Sequence, residues 1–362
     1  NQIVKKKIES DNSNLKLIFT KQNNNIKDKD LAPNKVLKIE NPKLYTEWSQ
    51  SYQNKFNFLG NVSFLNKGNY KKHSKISKAE VNKNILVYKN NIFFSDIKGN
   101  IGIFSISQNQ LIYKFNFYKK KMKKTKKDIK LIVKDDILIA ADNFGYIYSI
   151  DYKKKKLIWA KNYLIPFRSN LKIVGKILFL SNEKNKIILI NTVDGNQIDE
   201  FYTQPSKTVS EFQSNLALDN KDNLLFLSTN GSLYSLNLIN QKTINWIQNF
   251  KDESDIAFNA KPIIVSGDKI IVSSDNNISL LEVNGAKVWE LNIKSEISPI
   301  SSGNTIFTIN KENYLILIDK NSGQIIYSKS LYSLIERDFK KNFKRKIEKI
   351  NNIYITNNKL LL

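Results

Sequence analysis

The stretch ILIAADNFGYIYSIDYKKKKLIW, residues 137–159, decides the fold. It starts as an apolar strand, makes a polar turn at Asp142–Gly145, and continues as a strand that alternates apolar and polar residues. A second polar turn follows, and a last strand delivers Trp159. A unit of this size is too small to bury its own apolar face, so it must stack on other units of the same kind.

Such units are present on both sides of this stretch. They occupy residues 92–113, 177–201, 224–246, 270–289 and 306–327, and a further unit begins at residue 353. The aromatic residues that close the complete units lie 46, 42, 45, 43 and 38 residues apart. Short strands at this period, with no helical spacing of apolar residues between them, predict an all-β fold: a β-propeller of four-stranded antiparallel blades.

Three kinds of residue recur at equivalent places in the units. The first turn carries a residue that tolerates a positive φ, namely Gly99, Gly145, Asn185, Gly231, Asn277 or Asn313. The last strand carries large aromatic residues, among them Trp159, Trp246 and Trp289, which we expect to pack between adjacent blades. Turn positions repeat an aspartate, at Asp96, Asp142, Asp151, Asp275 and Asp319. Recurrence in many units indicates a structural role, because an active site breaks the repeat at one place.

The domain organisation is read from composition. Residues 1–40 are polar, rich in Lys and Asn and without a repeat, which predicts a flexible N-terminal tether. Residues 41–362 are assigned to the propeller, and 41% apolar residues suffice for a large core. Because the last unit stops at residue 362, we expect an incomplete C-terminus: six full blades and two partial ones here, and seven or eight blades in the intact protein.

The net charge of +25 raises the question of nucleic-acid binding. Of the 58 basic residues only Arg168, Arg337 and Arg345 are arginine. Recognition of bases and phosphates often uses the planar guanidinium group of arginine. The scarcity of arginine therefore argues against a nucleic-acid partner. A/T-rich coding explains the abundance of Lys, Asn and Ile. The lysine runs at 119–124 and 153–156 are predicted to be solvated loops, with attraction to anionic lipid or an acidic partner as the alternative.

The sequence offers little for catalysis, cofactors or metals. It has no cysteine, and His73 is its single histidine, without a partner motif. The run Asp219–Asn223 lacks the ligand spacing, the glycine and the closing glutamate of a calcium loop, so a plain turn is predicted. We therefore predict no catalytic residue, no cofactor, no metal site and no enzymatic activity.

The pattern from Gly145 to Trp159 resembles the PQQ-type propeller repeat. One branch of that family, the quinoprotein dehydrogenases, holds pyrroloquinoline quinone and calcium on the propeller axis and uses a pair of adjacent cysteines and a catalytic aspartate. This chain lacks the cysteines, so a dehydrogenase or quinone-binding sensor is the alternative rather than the preferred function. An adaptor of the WD40 kind is a third possibility, weakened because the Gly-His and Trp-Asp signatures are absent from the repeat positions.

The second branch, the BamB family of outer-membrane assembly factors, is similar in length, and the resemblance covers residues 44–362. It implies a non-catalytic scaffold at the periplasmic face of the outer membrane, anchored by a lipid on a cysteine that is not in this chain. The scaffold would dock on BamA, with unfolded outer-membrane proteins as candidate clients. The composition is similar to that of alphaproteobacterial members. By position, the BamA-facing loop corresponds to residues 206–214, with Val209 and Phe212 as candidate anchors. Segment 44–58 resembles the opening strand, which assigns Trp48 to the ring-closing blade.

Overall fold

The computed structural model describes residues 26–64, 75–118, 122, 124–204, 212–238, 242–251, 258–333 and 346–362. Across these ranges the regular structure is nearly all β, in 27 strands. No helix in these ranges is long and apolar enough to cross a membrane.

Six four-stranded antiparallel sheets follow one another along the described chain, and each is built from four consecutive strands. The first three sheets are formed by β2 (Leu86–Tyr88), β3 (Asn91–Ser95), β4 (Asn100–Ser105) and β5 (Gln110–Asn116); β6 (Ile129–Lys134), β7 (Ile137–Asp142), β8 (Tyr146–Asp151) and β9 (Lys156–Asn162); and β10 (Lys172–Val174), β11 (Ile177–Ser181), β12 (Lys186–Asn191) and β13 (Gln197–Tyr202).

The next three sheets repeat the arrangement. They are formed by β14 (Asn215–Leu218), β15 (Leu224–Leu227), β16 (Ser232–Asn237) and β17 (Thr243–Asn249); β18 (Ile264–Ser266), β19 (Lys269–Ser273), β20 (Ile278–Glu282) and β21 (Lys287–Leu291); and β22 (Ile300–Ser302), β23 (Thr305–Ile309), β24 (Tyr314–Asp319) and β25 (Ile325–Ser330). The prediction of a propeller of four-stranded antiparallel blades is confirmed.

A seventh sheet joins the two ends of the described chain. Strand β1 (Asn61–Val62) pairs in parallel with β26 (Tyr354–Thr356), which pairs antiparallel with β27 (Lys359–Leu361). The sequence predicted two separate partial blades, but the strand near residue 61 and the hairpin near residue 357 complement each other in one three-stranded sheet.

Each four-stranded sheet carries the same irregularity. The pairing of its third and fourth strands shifts register once, for example between Ser149 and Ile150 opposite Trp159. In five sheets the shift is next to the recurrent aromatic residue, and in the third it lies opposite Asp199. Such a bulge bends a strand and increases its twist. The first turns repeat as well: Gly99, Gly145 and Gly231 have φ values of +87°, +88° and +86°, a region that glycine enters without steric cost.

Apolar contacts join each sheet to the next. Phe93 and Ile103 of the first sheet pack with Leu131 and Tyr148 of the second, and equivalent buried clusters lie at the following sheet boundaries. Burying an aliphatic or aromatic side chain of this kind stabilises a fold by roughly 1.5–3 kcal/mol. The core is therefore divided among the interfaces between neighbouring sheets.

Three tryptophans connect neighbouring sheets by a hydrogen bond and by packing of the indole ring. The indole Nε1 of Trp159 donates to the carbonyl of Thr192 (3.1 Å), that of Trp246 to Val283 (2.9 Å), and that of Trp289 to Lys320 (2.8 Å). The ring of each lies against a turn glycine of the following sheet: Gly195, Gly285 or Gly323. A β-carbon on these glycines would lie within 2.6–2.7 Å of a ring atom, so the indoles pack directly on the backbone.

Residues 26–40, predicted to be part of a flexible tether, contact the sixth sheet. Lys29 forms an antiparallel bridge with Ser328 of β25, with N–H···O distances of 2.7 and 2.9 Å. Leu37 and Ile39 pack against the apolar cluster between the sixth and seventh sheets. The described part of this segment is thus held to the propeller, because its backbone adds to a strand edge and its apolar side chains reach the core. Residues 1–25 lie outside the described residues.

Candidate partner-binding site

The predicted partner-binding residues belong to the connection between β13 and β14. Val209 lies outside the described residues. Phe212 is 38% exposed and precedes Ser214, which is buried and whose hydroxyl lies 2.7 Å from that of Ser181. The ring thus lies two residues before an anchored serine, at the entry to the strand that follows.

The other end of this connection is also fixed. The Thr203 hydroxyl donates to the Asn185 carbonyl (2.7 Å), and the Gln204 amide donates to the Tyr234 hydroxyl (3.3 Å). Asn185 itself accepts at Oδ1 from the Thr229 amide and hydroxyl. The connection therefore leaves the third sheet and enters the fourth at defined points, and Phe212 stands at one of them.

The centre of the ring is built from the first strand of each sheet. Neighbouring sheets contact each other through these strands, as β2 does with β6 and β14 with β18. The fourth strands, by contrast, contain the exposed residues of each sheet, as β9 and β17 show. First strands therefore lie inside the ring and fourth strands at its rim.

One segment, residues 48–58, crosses the inside of the ring, and we call it the central segment. It contacts the first strands of five sheets in chain order: Trp48 with Val87, Ser49 with Val133, Asn54 with Lys172, Lys55 with Leu218, and Phe56 with Val265. The distances between the bonded atoms run from 2.5 to 2.9 Å. Asn57 is buried, and its Nδ2 donates to the carbonyls of Leu216 and Ile263 (2.9 and 2.8 Å).

The placement of Trp48 differs from the prediction. Its amide and carbonyl pair with Val87 of β2, and its ring packs on the cluster between the first and second sheets, not in the ring-closing sheet. The strand that joins the ring-closing sheet is Asn61–Val62. The ring-closing strand therefore lies just after segment 44–58 and not within it, because the chain crosses the ring before it pairs with β26.

Lys172 anchors the central segment. Its side chain is fully buried, and Nζ donates to Asn57 Oδ1 (2.6 Å) and the Asn54 carbonyl (2.7 Å), with Gln50 Oε1 and the Ser51 carbonyl at 3.3 and 3.5 Å. Burial lowers the pKa of Lys172 well below its usual value. A buried amine without a carboxylate partner is costly, and the oxygens of the central segment offset that cost.

A quinone with calcium does not fit the inside of this ring. The resemblance would place such a cofactor on the propeller axis, where the central segment and the Lys172 side chain lie in this chain. Among the described residues, no group of three or more His, Cys, Asp or Glu side chains is arranged to hold a metal ion. The residues at the centre are instead committed to hydrogen bonds within the protein.

The recurrent aspartates and the lysine-rich turn have local partners. Asp142 Oδ1 accepts from the amides of Phe144 and Tyr146 (2.9 and 2.8 Å), and Asp219 Oδ1 accepts from those of Lys221 and Asn223 (2.8 and 2.9 Å). These contacts close turns. Lys153 and Lys154 pair with Asp136 and Asp151 at 3.0 and 3.6 Å on the surface. His73 and most of the run 119–124 lie outside the described residues.

Sequence reasoning missed Lys172 and Asn57. Lys172 is one of many lysines, in the run LKIVGKILFL that differs little from other strand pairs. The sequence shows only a polar residue at the start of an apolar strand. It does not reveal that a distant segment supplies the hydrogen-bond acceptors for Lys172.

Comparisons with known proteins agree with this architecture. The crystal structure of BamB from Moraxella catarrhalis matches with a TM-score of 0.57 at 9% identity, over 69% of this chain and 75% of that chain. The β-propeller domain of Cps50 (Swd1) from Myceliophteria thermophila matches with a TM-score of 0.50 at 10% identity, over 72% of this chain and 89% of that chain. At these identities the likeness shows the fold alone. No curated protein sequence matches the chain.

The sequence itself carries the family assignment. A family model described as outer membrane protein assembly factor BamB matches residues 98–329, from the first turn of the first sheet to the last strand of the sixth. This range is more than half of the chain. The chain therefore belongs to the PQQ-like repeat family of the outer membrane protein assembly factor BamB.

Proposed function

We propose that this protein is a non-catalytic scaffold in the assembly of outer-membrane β-barrel proteins and that it docks on a BamA-type protein at the periplasmic face of the outer membrane. The central segment is the observation that carries the proposal. Because the chain itself crosses the inside of the ring, the surfaces left for a partner are the connections between sheets and the rim. The family match supplies the class of partner.

Phe212 and Val209 are the residues proposed to meet the partner. The exposed Phe212 ring stands beside the anchored Ser214. Truncating an aromatic anchor at the middle of an interface commonly costs 2 kcal/mol or more of binding free energy, which is about a thirtyfold loss of affinity. The lipid anchor and the contact with unfolded client proteins are part of the same proposal and follow from the family alone.

The test is a pull-down of a BamA-type protein from an outer-membrane extract by the full-length protein, followed by an affinity measurement with the purified pair. We expect Phe212→Ser to weaken binding at least about tenfold. Phe64→Ser is the matched control, because Phe64 is another exposed phenylalanine, beside the seventh sheet, and its loss should leave affinity unchanged.

A parallel titration with pyrroloquinoline quinone and calcium, followed by absorbance, addresses the alternative. Capture of the BamA-type protein without quinone binding supports the scaffold. Stoichiometric quinone binding without capture contradicts it and favours the dehydrogenase branch of the family.

A further inference from the structure

The outer edge of the sixth sheet already accepts an extended strand. The Lys29 amide and carbonyl bond to the carbonyl and amide of Ser328 on β25. The Ser328 hydroxyl donates to the Lys27 carbonyl, and the Ser330 amide donates to Asp28 Oδ1 (3.2 Å). Residues 27–30 thus lie along β25, paired with it through the single β-bridge at Lys29, and we call them the edge strand.

The edge strand is held by charge as well as by backbone bonds. Lys329 Nζ lies 3.4 Å from Asp28 Oδ2 and 3.7 Å from Asp30 Oδ1. The two aspartates flank Lys29 in the sequence. The resulting Asp-x-Asp pattern faces a single lysine of the rim, Lys329. On β25, the rim thus holds an extended backbone that carries carboxylates at alternate positions.

The second sheet has an equivalent edge, with which no strand of the described residues pairs. Ala160 of β9 and Ser328 of β25 occupy equivalent positions, because each follows the aromatic residue at the register shift. Ala160 pairs with Tyr148, and Ser328 pairs with Ile316. Equivalent backbone groups of Ala160 therefore point outward, as those of Ser328 do. The next residue is lysine in both strands, Lys161 and Lys329.

The lysine at this position is shared by β9 and β25 and distinguishes them from the other four rim strands. The residues equivalent to Lys161, read from the register of each sheet, are Phe115, Phe201, Gln248 and Leu291. In β9 all residues except Trp159 are exposed, whereas in β25 only intermediate and buried residues occur. Lys161 Nζ lies 3.3 Å from Asn196 Oδ1, and within the described chain no carboxylate forms an ion pair with it.

We propose that the outer edge of β9 is a docking site for an extended segment of another protein, which carries acidic side chains at alternate positions and binds antiparallel to β9 as a fifth strand. Lys161 would face the two carboxylates as Lys329 faces Asp28 and Asp30. The exposed Leu157 and Ile158 supply apolar contact beside the backbone bonds. This site is separate from Phe212, and the proposal does not depend on docking to a BamA-type protein.

The test uses the peptide Ile-Lys-Asp-Lys-Asp-Leu-Ala, residues 26–32 of this chain, with a benzophenone at its N-terminus. The full-length protein is irradiated with the peptide, and the labelled residues are mapped by mass spectrometry. We expect labelling around residues 156–162. The peptide in which both aspartates are asparagine should label at least about fivefold less, because the charged pairs to Lys161 are lost.

Two variants of the protein sharpen the result. Ala160→Pro removes an outward N–H, which an edge strand tolerates, and should abolish labelling of β9. Lys161→Glu reverses the charge without a change to the backbone and should reduce labelling at least about fivefold, while Lys114→Glu, a charge reversal on the exposed Lys114 of β5, should not. Circular dichroism confirms that each variant is folded.

Labelling of β9 that requires the aspartates and Lys161 supports the proposal. The proposal is overturned if labelling is confined to β25. It is also overturned if Ala160→Pro and Lys161→Glu leave the labelling of β9 unchanged. A dimer seen by light scattering, with cross-links between two copies of β9 mapped by mass spectrometry, also overturns the proposal. The edge would then be an interface between copies of this chain.

Discussion

The central segment and the rim strands differ in how their polar groups are used. Inside the ring, the Lys172 amine and the Asn57 side chain are buried. Lys172 makes its hydrogen bonds to the central segment, and Asn57 bonds to Leu216 of the fourth sheet and to Ile263, directly before the fifth. At the rim, β9 exposes six of its seven residues. The comparison indicates that polar groups at the centre are committed to holding the chain together, whereas those at the rim remain exposed.

The largest effect is expected from Lys172→Met. The substitution leaves Asn57 Oδ1 and the Asn54 carbonyl buried without this donor, and each unsatisfied group costs about 1–3 kcal/mol, so we expect a loss of about 4 kcal/mol in the free energy of unfolding. Urea denaturation followed by fluorescence measures it. Lys176→Met is the matched control, because Lys176 is exposed in the turn of the same hairpin. Equal stability of the two variants would show that the central segment is not held by Lys172.

The tryptophan contacts between sheets predict the next largest effect. In Gly285→Ala the new β-carbon would meet the Trp246 ring at 2.6 Å, at a φ of +91°. Strain and overpacking together should cost about 3 kcal/mol. Gly267→Ala has a φ of +67° but nothing within 4 Å, so it should cost about 1 kcal/mol. A thermal unfolding series of both variants separates the clash from the strain. Similar losses in the two would mean that the Trp246 ring moves aside freely.

The sequence predicted the rim of the molecule better than its centre. Repeats such as residues 137–159 specify a local strand order, and their aromatic residues and turn glycines mark the contacts between neighbours, as the Trp246–Gly285 pair shows. The contacts of residues 48–58 reach as far as Asn57 with Lys172 and Phe56 with Val265, and nothing in the sequence of this segment marks which strands it meets. Phe212 was chosen by position in the family, and the pairing of Lys29 with Ser328 has no local signal because either backbone could pair with many partners.

Rim contacts should contribute less and depend on pH. Glu200 of β13 pairs with Lys186, and hydrogen bonds from Lys186 and Tyr202 lower its pKa from 4.5 to about 2. A lowered carboxyl pKa gives stability above pH 4.5 that is lost as the pH falls towards 2. Because solvent reaches the pair, its contribution should stay below about 1 kcal/mol. In Glu200→Gln the free energy of unfolding should therefore decrease less between pH 6 and pH 2.5 than in the unmodified protein. Urea midpoints across this pH range measure it. The exposed Glu312→Gln is the control, and an equal change in both variants would contradict the assignment.

The smallest effect is expected at the rim, from the edge strand on β25. Asp28→Asn with Asp30→Asn removes both ion pairs to Lys329 but leaves the core intact, so the urea midpoint should not move. The Ser328 amide, which donates to Lys29, should exchange its hydrogen several-fold faster in the variant, approaching the rate of the outward Ala160 amide of β9. Hydrogen exchange with mass spectrometry on peptides of β25 and β9 measures both strands in one experiment. Unchanged protection of Ser328 would mean that the backbone bonds alone hold the edge strand, and the carboxylates would then have little part in what the rim recognises.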